Sequence, residues 1–317
     1  MERHMKDICF GVDVGGTTVK IGLFQTDGQL LNSFEIPTRK EEKGKYVIGD
    51  IAAALEKELK EKHIEKERVA GVGIGVPGPV LDDGTVNVCV NIGWGVINVA
   101  NELGTLTGLP VKVGNDATVA ALGEMWQGGG KGHESMALFT LGTGVGGGII
   151  VNGKPVNGSH GAGGEVGHIP VVMDETEVCT CGKKGCLEQV ASATGIVKEA
   201  KKLLAGSEKA SALRNYEPLT AKAIFDEAKK GDEIAMEAVE ILGKYLGIAM
   251  AHVAGVVDPE IFVIGGGVSK AGKILLDAIE KNYRQYVFHA SRDAIITLAT
   301  LGNDAGMYGA ARLVIEN

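Results

Sequence analysis

One pattern occurs twice in the sequence: a strand, a turn rich in glycine and hydroxyl residues, and a second strand. The first copy has strands at 8–14 and 18–24 around Asp13-Val14-Gly15-Gly16-Thr17-Thr18. The second copy has strands at 135–141 and 149–151 around a glycine turn at 142–148. Because helices and further strands follow both copies, the sequence predicts an α/β protein with two related halves.

The remaining elements follow from hydrophobic periodicity and from the positions of turn residues. In the first half we predict strands at 30–36, 69–76 and 111–113, and a helix at 46–63. In the second half we predict strands at 261–264 and 295–298. Helices are predicted at 194–204, 220–230, 232–256 and 272–283, and from residue 304. The antiparallel start followed by alternating helices and strands is typical of a mixed sheet.

The length of 317 residues exceeds what one hydrophobic core usually supports, so we expect two lobes with a cleft between them. The predicted small lobe comprises residues 1–120 and 303–317, and the predicted large lobe comprises residues 121–302. A net charge of −8 without a long basic run argues against nucleic acid as a partner. The charged start, without the apolar stretch of a signal peptide, favours a cytoplasmic protein with no membrane partner.

Both glycine turns suit phosphate oxygens, because they offer backbone N–H groups with no side chain in the way. Asp13, at the end of a buried strand, would be costly to bury alone and suits Mg²⁺ with its waters. Each turn could equally be an ordinary hairpin. The segment 142–147 also fits the dinucleotide pattern GxGxxG, but the apolar residues and Asn152-Gly153 that follow predict a strand where that pattern needs a helix.

A further glycine segment begins after the strand at 261–264. Residues 267–273 have the GxxxxGK spacing of a Walker loop, but Ile274 replaces the hydroxyl residue that would hold Mg²⁺. We therefore interpret Gly265 and Gly266 as backbone that lies against a nucleoside.

Asn115 and Asp116 follow a predicted strand and precede an alanine-rich helical stretch. The pair could simply cap that helix. Asp116 is also well placed to accept a hydroxyl proton, as phosphoryl transfer requires. The sequence alone leaves both interpretations open.

His168, Cys179, Cys181 and Cys186 form the strongest local motif. Three thiolates and one imidazole complete a tetrahedral zinc shell, and the Cys-x-Cys-Gly-x-x-Gly-Cys spacing folds a short loop around one ion. The predicted zinc is structural, because four protein ligands leave no open position. Glu165 and Glu188 lie beside this motif and could accept hydrogen bonds from sugar hydroxyls, or could be ordinary surface acids.

Together these segments resemble the ROK family of repressors, open-reading-frame proteins and kinases, and within it the bacterial ATP-dependent glucokinases. The resemblance implies the two-lobed α/β fold of actin, hexokinase and the heat-shock ATPases. It implies that Asp116 is the general base. The implied sugar contacts are Asn91, Asn115, Asp116, Glu165, His168 and Glu188. The implied nucleotide contacts are Gly15, Gly16, Thr17, Thr143, Gly144, Gly265 and Gly266. Asp13, as the predicted partner of Mg²⁺, completes the predicted cofactor site.

The predicted activity is the ATP- and Mg²⁺-dependent phosphorylation of a hexose, most simply glucose, with zinc as a structural ion. N-Acetylglucosamine and N-acetylmannosamine kinases of the same family are the alternative, because they share the zinc motif and the Asn-Asp pair. A sugar-sensing repressor is less expected, because only twelve residues precede Asp13 and we expect no helix-turn-helix there. We expect a homo-oligomer, a dimer or a tetramer.

Overall fold

The computed structural model describes residues 6–315 and divides the chain into two compact units. Unit 1 holds the chain up to residue 132, residues 155–164 and the chain from residue 303. Unit 2 holds residues 133–154 and 165–302. The lobe boundaries predicted at residues 120 and 302 stay a prediction; the compact unit 1 also includes residues 121–132.

Unit 1 is built on a five-stranded sheet with the order β3-β2-β1-β4-β7. Its strands are β1 (Ile8–Val14), β2 (Thr18–Gln25), β3 (Leu30–Pro37), β4 (Val69–Val76), β5 (Thr85–Val86), β6 (Ile97–Asn98) and β7 (Val111–Asn115). Strands β1, β2 and β3 are antiparallel, whereas β4 and β7 continue the sheet in parallel with β1; β5 and β6 form a separate small hairpin. Its helices are α1 (Glu41–Gly44), α2 (Val47–Glu61), α3 (Val99–Thr107) and α4 (Asp116–Gln127).

Helix α2 shows why these segments fold as they do. Ile48, Ile51 and Leu55 recur at helical spacing and are all buried in the core of unit 1. Helix α3 has conventional ends. The Asn98 side chain accepts a hydrogen bond from the Asn101 N–H at 2.8 Å, and Gly108 at φ +62° ends the helix in the left-handed region.

Unit 2 repeats the sheet topology with the order β10-β9-β8-β11-β12. Its strands are β8 (Met136–Leu141), β9 (Val145–Val151), β10 (Lys154–Pro155), β11 (Ile261–Gly265) and β12 (Ile295–Leu298). Strands β8 and β9 are antiparallel, and β11 and β12 run parallel to β8. Its helices are α5 (Glu188–Ala191), α6 (Ala193–Ala205), α7 (Ala221–Lys229), α8 (Glu233–Val257) and α9 (Lys273–Tyr286).

Strand β9 begins earlier than the sequence predicts. The sequence predicts that residues 145–148 belong to the glycine turn, but Gly146, Gly147 and Gly148 pair with Thr140, Phe139 and Leu138. Glycine has a low strand propensity, yet a ladder of hydrogen bonds to a buried neighbour holds it extended. The turn itself is therefore only residues 142–144. The predicted hairpin after β9 is confirmed, with Asn152 at φ +50° and Gly153 at φ +73°.

Helix α8 forms the centre of the core of unit 2. Asp232 caps it by accepting a hydrogen bond from the Ala235 N–H at 3.0 Å. A Cβ on Gly247 would lie 2.6 Å from the Tyr283 backbone nitrogen, so glycine lets α8 and α9 pack closely. By length and composition α8 could cross a membrane, but half of its apolar window is buried inside the structure, as in the core helix of a globular protein.

The last helix, α10 (Ala305–Leu313), returns to unit 1 and packs against α4 and the sheet. A Cβ on Gly309 would lie 1.5 Å from the Val119 carbonyl oxygen of α4, and a Cβ on Gly73 would lie 1.6 Å from the Ala310 carbonyl oxygen. Glycine at both positions therefore allows the helix to lie directly on its neighbours. Just before the helix, Asp304 accepts a hydrogen bond from Lys20 Nζ at 3.1 Å.

Candidate active site

The first glycine loop, residues 15–17, joins β1 to β2 in unit 1. Its conformation is fixed by Thr38, the residue that follows β3. Thr38 Oγ1 donates to the Gly15 carbonyl at 2.8 Å, and the Thr38 N–H donates to the Thr17 carbonyl at 2.9 Å. A Cβ on Gly16 would lie 3.4 Å from Lys40 Nζ, so a positive charge lies beside this loop. The loop is thus a rigid turn next to an ammonium group.

Asp13 ends β1 immediately before this loop. Burial raises the pKa of Asp13 to about 6, and the negative charge of Asp116 adds to the rise, whereas Lys20 opposes it. A Cβ on Gly306 would lie 2.6 Å from Asp13 Oδ2, so α10 approaches this carboxylate closely. A partly buried carboxylate without a hydrogen bond in residues 6–315 is a suitable partner for a hydrated divalent cation.

The structure assigns different tasks to Asn115 and Asp116. Asn115 caps α4: its Oδ1 accepts from the N–H groups of Ala117 at 3.0 Å and Thr118 at 3.2 Å. Its Nδ2 donates to the Gly78 carbonyl at 3.1 Å. Asp116 is therefore not needed as the cap, and it begins the helix with an exposed residue.

The Asp116 carboxylate has the electrostatics of a base. Partial desolvation raises the pKa of Asp116, although hydrogen bonds from Ala117 and Asn115 oppose the rise. Its Oδ1 accepts from the Ala117 N–H at 2.8 Å, which fixes the orientation of the side chain. An accessible carboxylate with a raised pKa and a fixed orientation suits the removal of a proton.

Asn91 lies in an exposed part of the loop between β5 and β6. The loop closes on itself through the Cys89 N–H, which donates to the Trp94 carbonyl at 3.1 Å. Trp94 is buried and anchors the loop, because its Nε1 donates to the Gly44 carbonyl at 3.0 Å. Burial raises the pKa of the nearby Cys89, and the Asp116 charge adds to the rise, which places this loop near Asp116.

The second glycine loop, residues 142–144, joins β8 to β9 in unit 2. The start of α6 holds it: the Ala193 N–H donates to the Gly142 carbonyl at 2.8 Å, and Thr194 Oγ1 donates to the Thr143 carbonyl at 2.7 Å. Thr143 is exposed. This loop and the loop at 15–17 occupy the same place in their two sheets.

Four potential metal ligands from His168, Cys179, Cys181 and Cys186 lie within 4.8 Å of one another. Cys179 Sγ lies 3.8 Å from His168 Nδ1, and Cys181 Sγ lies 3.6 Å from Cys186 Sγ. A tetrahedral zinc with its usual bond lengths separates such atoms by about 3.5–3.8 Å. Burial raises the pKa of Cys186 to about 12, so its thiolate needs a cation nearby. The donor set and its spacing therefore fit zinc.

The two predicted glutamates lie on either side of His168. His168 Nδ1 faces the cysteines, while its Nε2 lies 3.9 Å from Glu165 Oε2, so the ring can serve the metal and a second partner. Glu188 Oε1 accepts from Thr180 Oγ1 at 2.8 Å and from Cys179 Sγ at 2.9 Å. Burial raises the pKa of Glu188, but these hydrogen bonds outweigh burial, so the pKa is lowered overall. The carboxylate is therefore a hydrogen-bond acceptor.

Strand β11 ends at Gly265, and Gly266 follows with φ +82°. A Cβ on Gly266 would lie 2.5 Å from the Leu141 carbonyl oxygen, so this turn requires glycine. A cavity of about 220 Å³ lies beside it in unit 2, with an apolar lining that includes Ala193, Phe225 and Val268. The size and lining suit an aromatic base.

Within unit 1 the structure thus brings together Asp13, the loop 15–17, Asn115 and Asp116, with the Asn91 loop beside them. Within unit 2 it brings together Thr143, Gly144 and Glu188, and it places Glu165, His168 and the cysteines around one another. Sequence reasoning missed Thr180, Ser192 and Thr194. In the sequence these residues are marked only by being hydroxyl residues close to a predicted motif. Hydroxyl residues are too common for that position to single them out.

Comparisons with known proteins agree with these motifs. The sequence model of the ROK family matches residues 9–317. A glucokinase of Halalkalibacterium halodurans is 45% identical over 96% of this chain and 94% of its own length. A glucokinase of Streptomyces coelicolor is 37% identical over 98% of both chains.

Solved structures give the same result. The ROK family glucokinase from Streptomyces griseus, in complex with glucose and AMPPNP, is 36% identical, with a TM-score of 0.73 and coverage of 96% of this chain and 98% of that one. The likeness confirms the predicted hexokinase-type α/β fold class.

Proposed function

Because the chain belongs to the ROK family, we propose that it is an ATP-dependent kinase that converts glucose to glucose 6-phosphate. The observation that carries this proposal is the likeness to glucokinases over nearly the whole chain, at 45% identity to the one from H. halodurans. A two-lobed sugar kinase is also what the sequence motifs predict. Enzymatic phosphorylation of a hexose is therefore the function to test.

In this proposal Asp116 is the general base. It accepts the proton of the sugar 6-hydroxyl while the oxygen forms a bond to the γ-phosphorus of ATP, and the bond from that phosphorus to the bridging oxygen breaks and releases ADP. The raised pKa of Asp116 supports the role, because a stronger base takes a hydroxyl proton more readily. Asn115 fixes the start of α4 and so positions Asp116.

The proposed sugar contacts are Asn91, Asn115, Asp116, Glu165, His168 and Glu188. The Thr180 hydroxyl, which donates to Glu188 Oε1 at 2.8 Å, supports its part, since an ionised carboxylate accepts hydrogen bonds from hydroxyl groups. Asn115 commits its oxygen and one N–H to the backbone and also hydrogen-bonds to Asp116, so it supports the site by holding that carboxylate in place. Asn91 is exposed and free to contact a ligand.

The proposed nucleotide contacts are Asp13, Gly15, Gly16, Thr17, Thr143, Gly144, Gly265 and Gly266. The two short glycine loops offer amides and hydroxyls to phosphate oxygens. The apolar cavity beside Gly266 and Gly267 suits the base. Asp13 would face the Mg²⁺ that accompanies ATP, and this ion would neutralise charge on the transferred phosphoryl group.

His168, Cys179, Cys181 and Cys186 would hold the structural zinc. Bound zinc would fix the orientation of the His168 ring and of the loop that carries Cys179 and Thr180, and both flank the two proposed sugar-binding glutamates. We further propose that the enzyme works in the cytoplasm as a homo-oligomer, a dimer or a tetramer. Its net charge of −8 argues against a nucleic-acid partner.

A coupled assay with ATP and a panel of sugars tests the proposal. The panel comprises glucose, mannose, fructose, N-acetylglucosamine and N-acetylmannosamine. We expect kcat/KM for glucose to exceed that for every other sugar by at least about tenfold, because a site that binds specific hydroxyls rejects altered sugars. A higher kcat/KM for either N-acetyl sugar would reassign the substrate, and sugar binding without phosphorylation would favour a sugar-sensing regulator.

A further inference from the structure

The carbonyl groups of the second glycine loop are held by the residues that start α6. The Ala193 N–H donates to the Gly142 carbonyl at 2.8 Å, and the Thr194 hydroxyl donates to the Thr143 carbonyl at 2.7 Å. Two successive carbonyls of the loop therefore point toward residues 193 and 194. Each contact fixes the orientation of one peptide plane.

A fixed carbonyl also fixes the amide on the other side of the same peptide. In a planar trans peptide the C=O and the following N–H point in opposite directions. The N–H groups of Thr143 and Gly144 must then point away from α6. Neither donates a hydrogen bond within residues 6–315, so both are available to an anion.

Ser192 connects this arrangement to Glu188. It is fully buried, its hydroxyl donates to the Glu188 carbonyl at 2.7 Å, and it lies 3.0 Å from Thr194 Oγ1. The loop also touches the Glu188 side chain, since a Cβ on Gly144 would lie 2.5 Å from Glu188 Oε2. The hydroxyls of Ser192 and Thr194 thus join the glycine loop to the short helix that carries Glu188.

We propose that Thr194 is a positioning residue for ATP: its hydroxyl holds the peptide between Thr143 and Gly144 so that the loop amides face a phosphate oxygen. The inference rests on the proposed kinase function. Thr194 does not touch the nucleotide in this proposal and acts only through the loop. Without the hydroxyl this peptide could rotate, and ATP binding would then have to order it.

The test compares Thr194→Val with Thr194→Ser. Valine keeps the shape of threonine but cannot donate the hydrogen bond, whereas serine can. We expect Thr194→Val to raise the KM for ATP about three- to tenfold, in line with the loss of one hydrogen bond, and to leave the KM for glucose within about twofold. Thr194→Ser should restore the wild-type KM for ATP.

Thr105→Val is the matched control, because Thr105 Oγ1 also donates to a backbone carbonyl, that of Asn101, at 2.8 Å but in α3 of unit 1. It should leave both KM values unchanged. An unchanged KM for ATP in Thr194→Val would overturn the proposal, and so would an equal rise in both KM values or a failure of serine to restore binding. If Thr194→Val does not fold, Thr194→Ala takes its place.

Calorimetric binding of a non-hydrolysable ATP analogue separates this inference from the proposed function. If the wild-type chain binds the analogue but does not phosphorylate glucose, the proposed function fails, and the ratio of dissociation constants for wild type and Thr194→Val still decides the role of Thr194. A wild-type chain that does not bind the analogue overturns both.

Discussion

The two units of the chain share one sheet topology but differ in the polar side chains that lie beside the glycine loop of each sheet. In each unit an antiparallel hairpin with a short glycine loop is followed by two parallel strands. In unit 1 the residue two positions before the loop is the partly buried Asp13. In unit 2 the corresponding position, two residues before Gly142, is Thr140.

This difference shows that the shared topology places a short glycine loop in each unit, while single side chains differ between the two copies. Unit 1 has two interacting carboxylates, Asp13 and Asp116, with raised pKa values. Unit 2 has a metal-ligand cluster and a glutamate with a lowered pKa. We therefore expect proton transfer to depend on unit 1, and the geometry of the sugar contacts to depend strongly on unit 2.

The largest expected effect is that of Asp116→Asn in unit 1. Asparagine keeps the size of the side chain but cannot accept the hydroxyl proton, so kcat should fall by about 10²- to 10⁴-fold. Glucose binding, measured by calorimetry, should remain. The exposed Asp293→Asn in unit 2 serves as the control and should keep full activity. Near-normal turnover in Asp116→Asn would contradict the assigned role.

The pH dependence of kcat/KM, which reports groups of the free enzyme, gives a second measure of the same carboxylate. The proposed mechanism requires Asp116 in its charged form, and desolvation raises its pKa. Activity should therefore be lost on the acid side, as pH falls through this raised pKa, at a higher pH than the usual value of about 3.9 for aspartate. An acid limb at or below that value would contradict either the raised pKa of Asp116 or the need for its charged form.

An intermediate effect is expected from loss of the metal cluster in unit 2. Cys186→Ser, or removal of zinc by a chelator, should free the loop whose Thr180 hydroxyl bonds to Glu188 and raise the KM for glucose about 10- to 100-fold. Elemental analysis should find one zinc per chain in the wild type and in Cys89→Ser, which alters a buried thiol of unit 1. A zinc-free chain with full activity would rule out this role.

The smallest effect concerns stability and the charge of Asp13. Its pKa is about 6 in the folded chain and about 3.9 in an unfolded one, so the folded state holds an extra proton between these values. The free energy of unfolding therefore falls as pH rises from about 4 to 6 and stays lower above that window. Asp13→Asn removes this penalty and should stabilise the chain at pH 7.5 by on the order of 2–3 kcal/mol, but not at pH 4.

Urea denaturation at the two pH values measures this difference. Asp7→Asn is the control of opposite sign, because hydrogen bonding from Arg68 lowers the pKa of Asp7. That variant should be less stable than the wild type at pH 7.5, with a smaller gap at low pH. An equal gain for Asp13→Asn at both pH values would show that the charge is not the cause.

Much of the fold could be predicted from the sequence, because burial dictates the residue pattern of its elements. The predicted strands at 8–14, 69–76 and 295–298 have exactly the observed bounds, and the long helix predicted at 232–256 is α8. The prediction was wrong for residues 145–148, where partner strand β8 rather than intrinsic propensity holds three glycines extended. Such long-range pairing leaves no local signal.

The candidate site could be predicted only as a set of residue types. The sequence supplied the metal ligands, and the structure brings them together. It could not tell which member of the Asn115-Asp116 pair caps α4, because that depends on side-chain orientation. It also could not show that Thr194 holds the Thr143 carbonyl, since this contact joins residues 51 positions apart.

The position of α10 has a consequence for synthesis on the ribosome. Unit 1 contains the first strands of the chain, yet helix α10, which packs on those strands, comes last. The surface of the sheet that α10 covers therefore stays exposed on the nascent chain until about two hundred further residues have been translated. At usual elongation rates this takes roughly 10–40 s. Unit 2 has all of its own strands and helices before residue 303, so it can finish folding first.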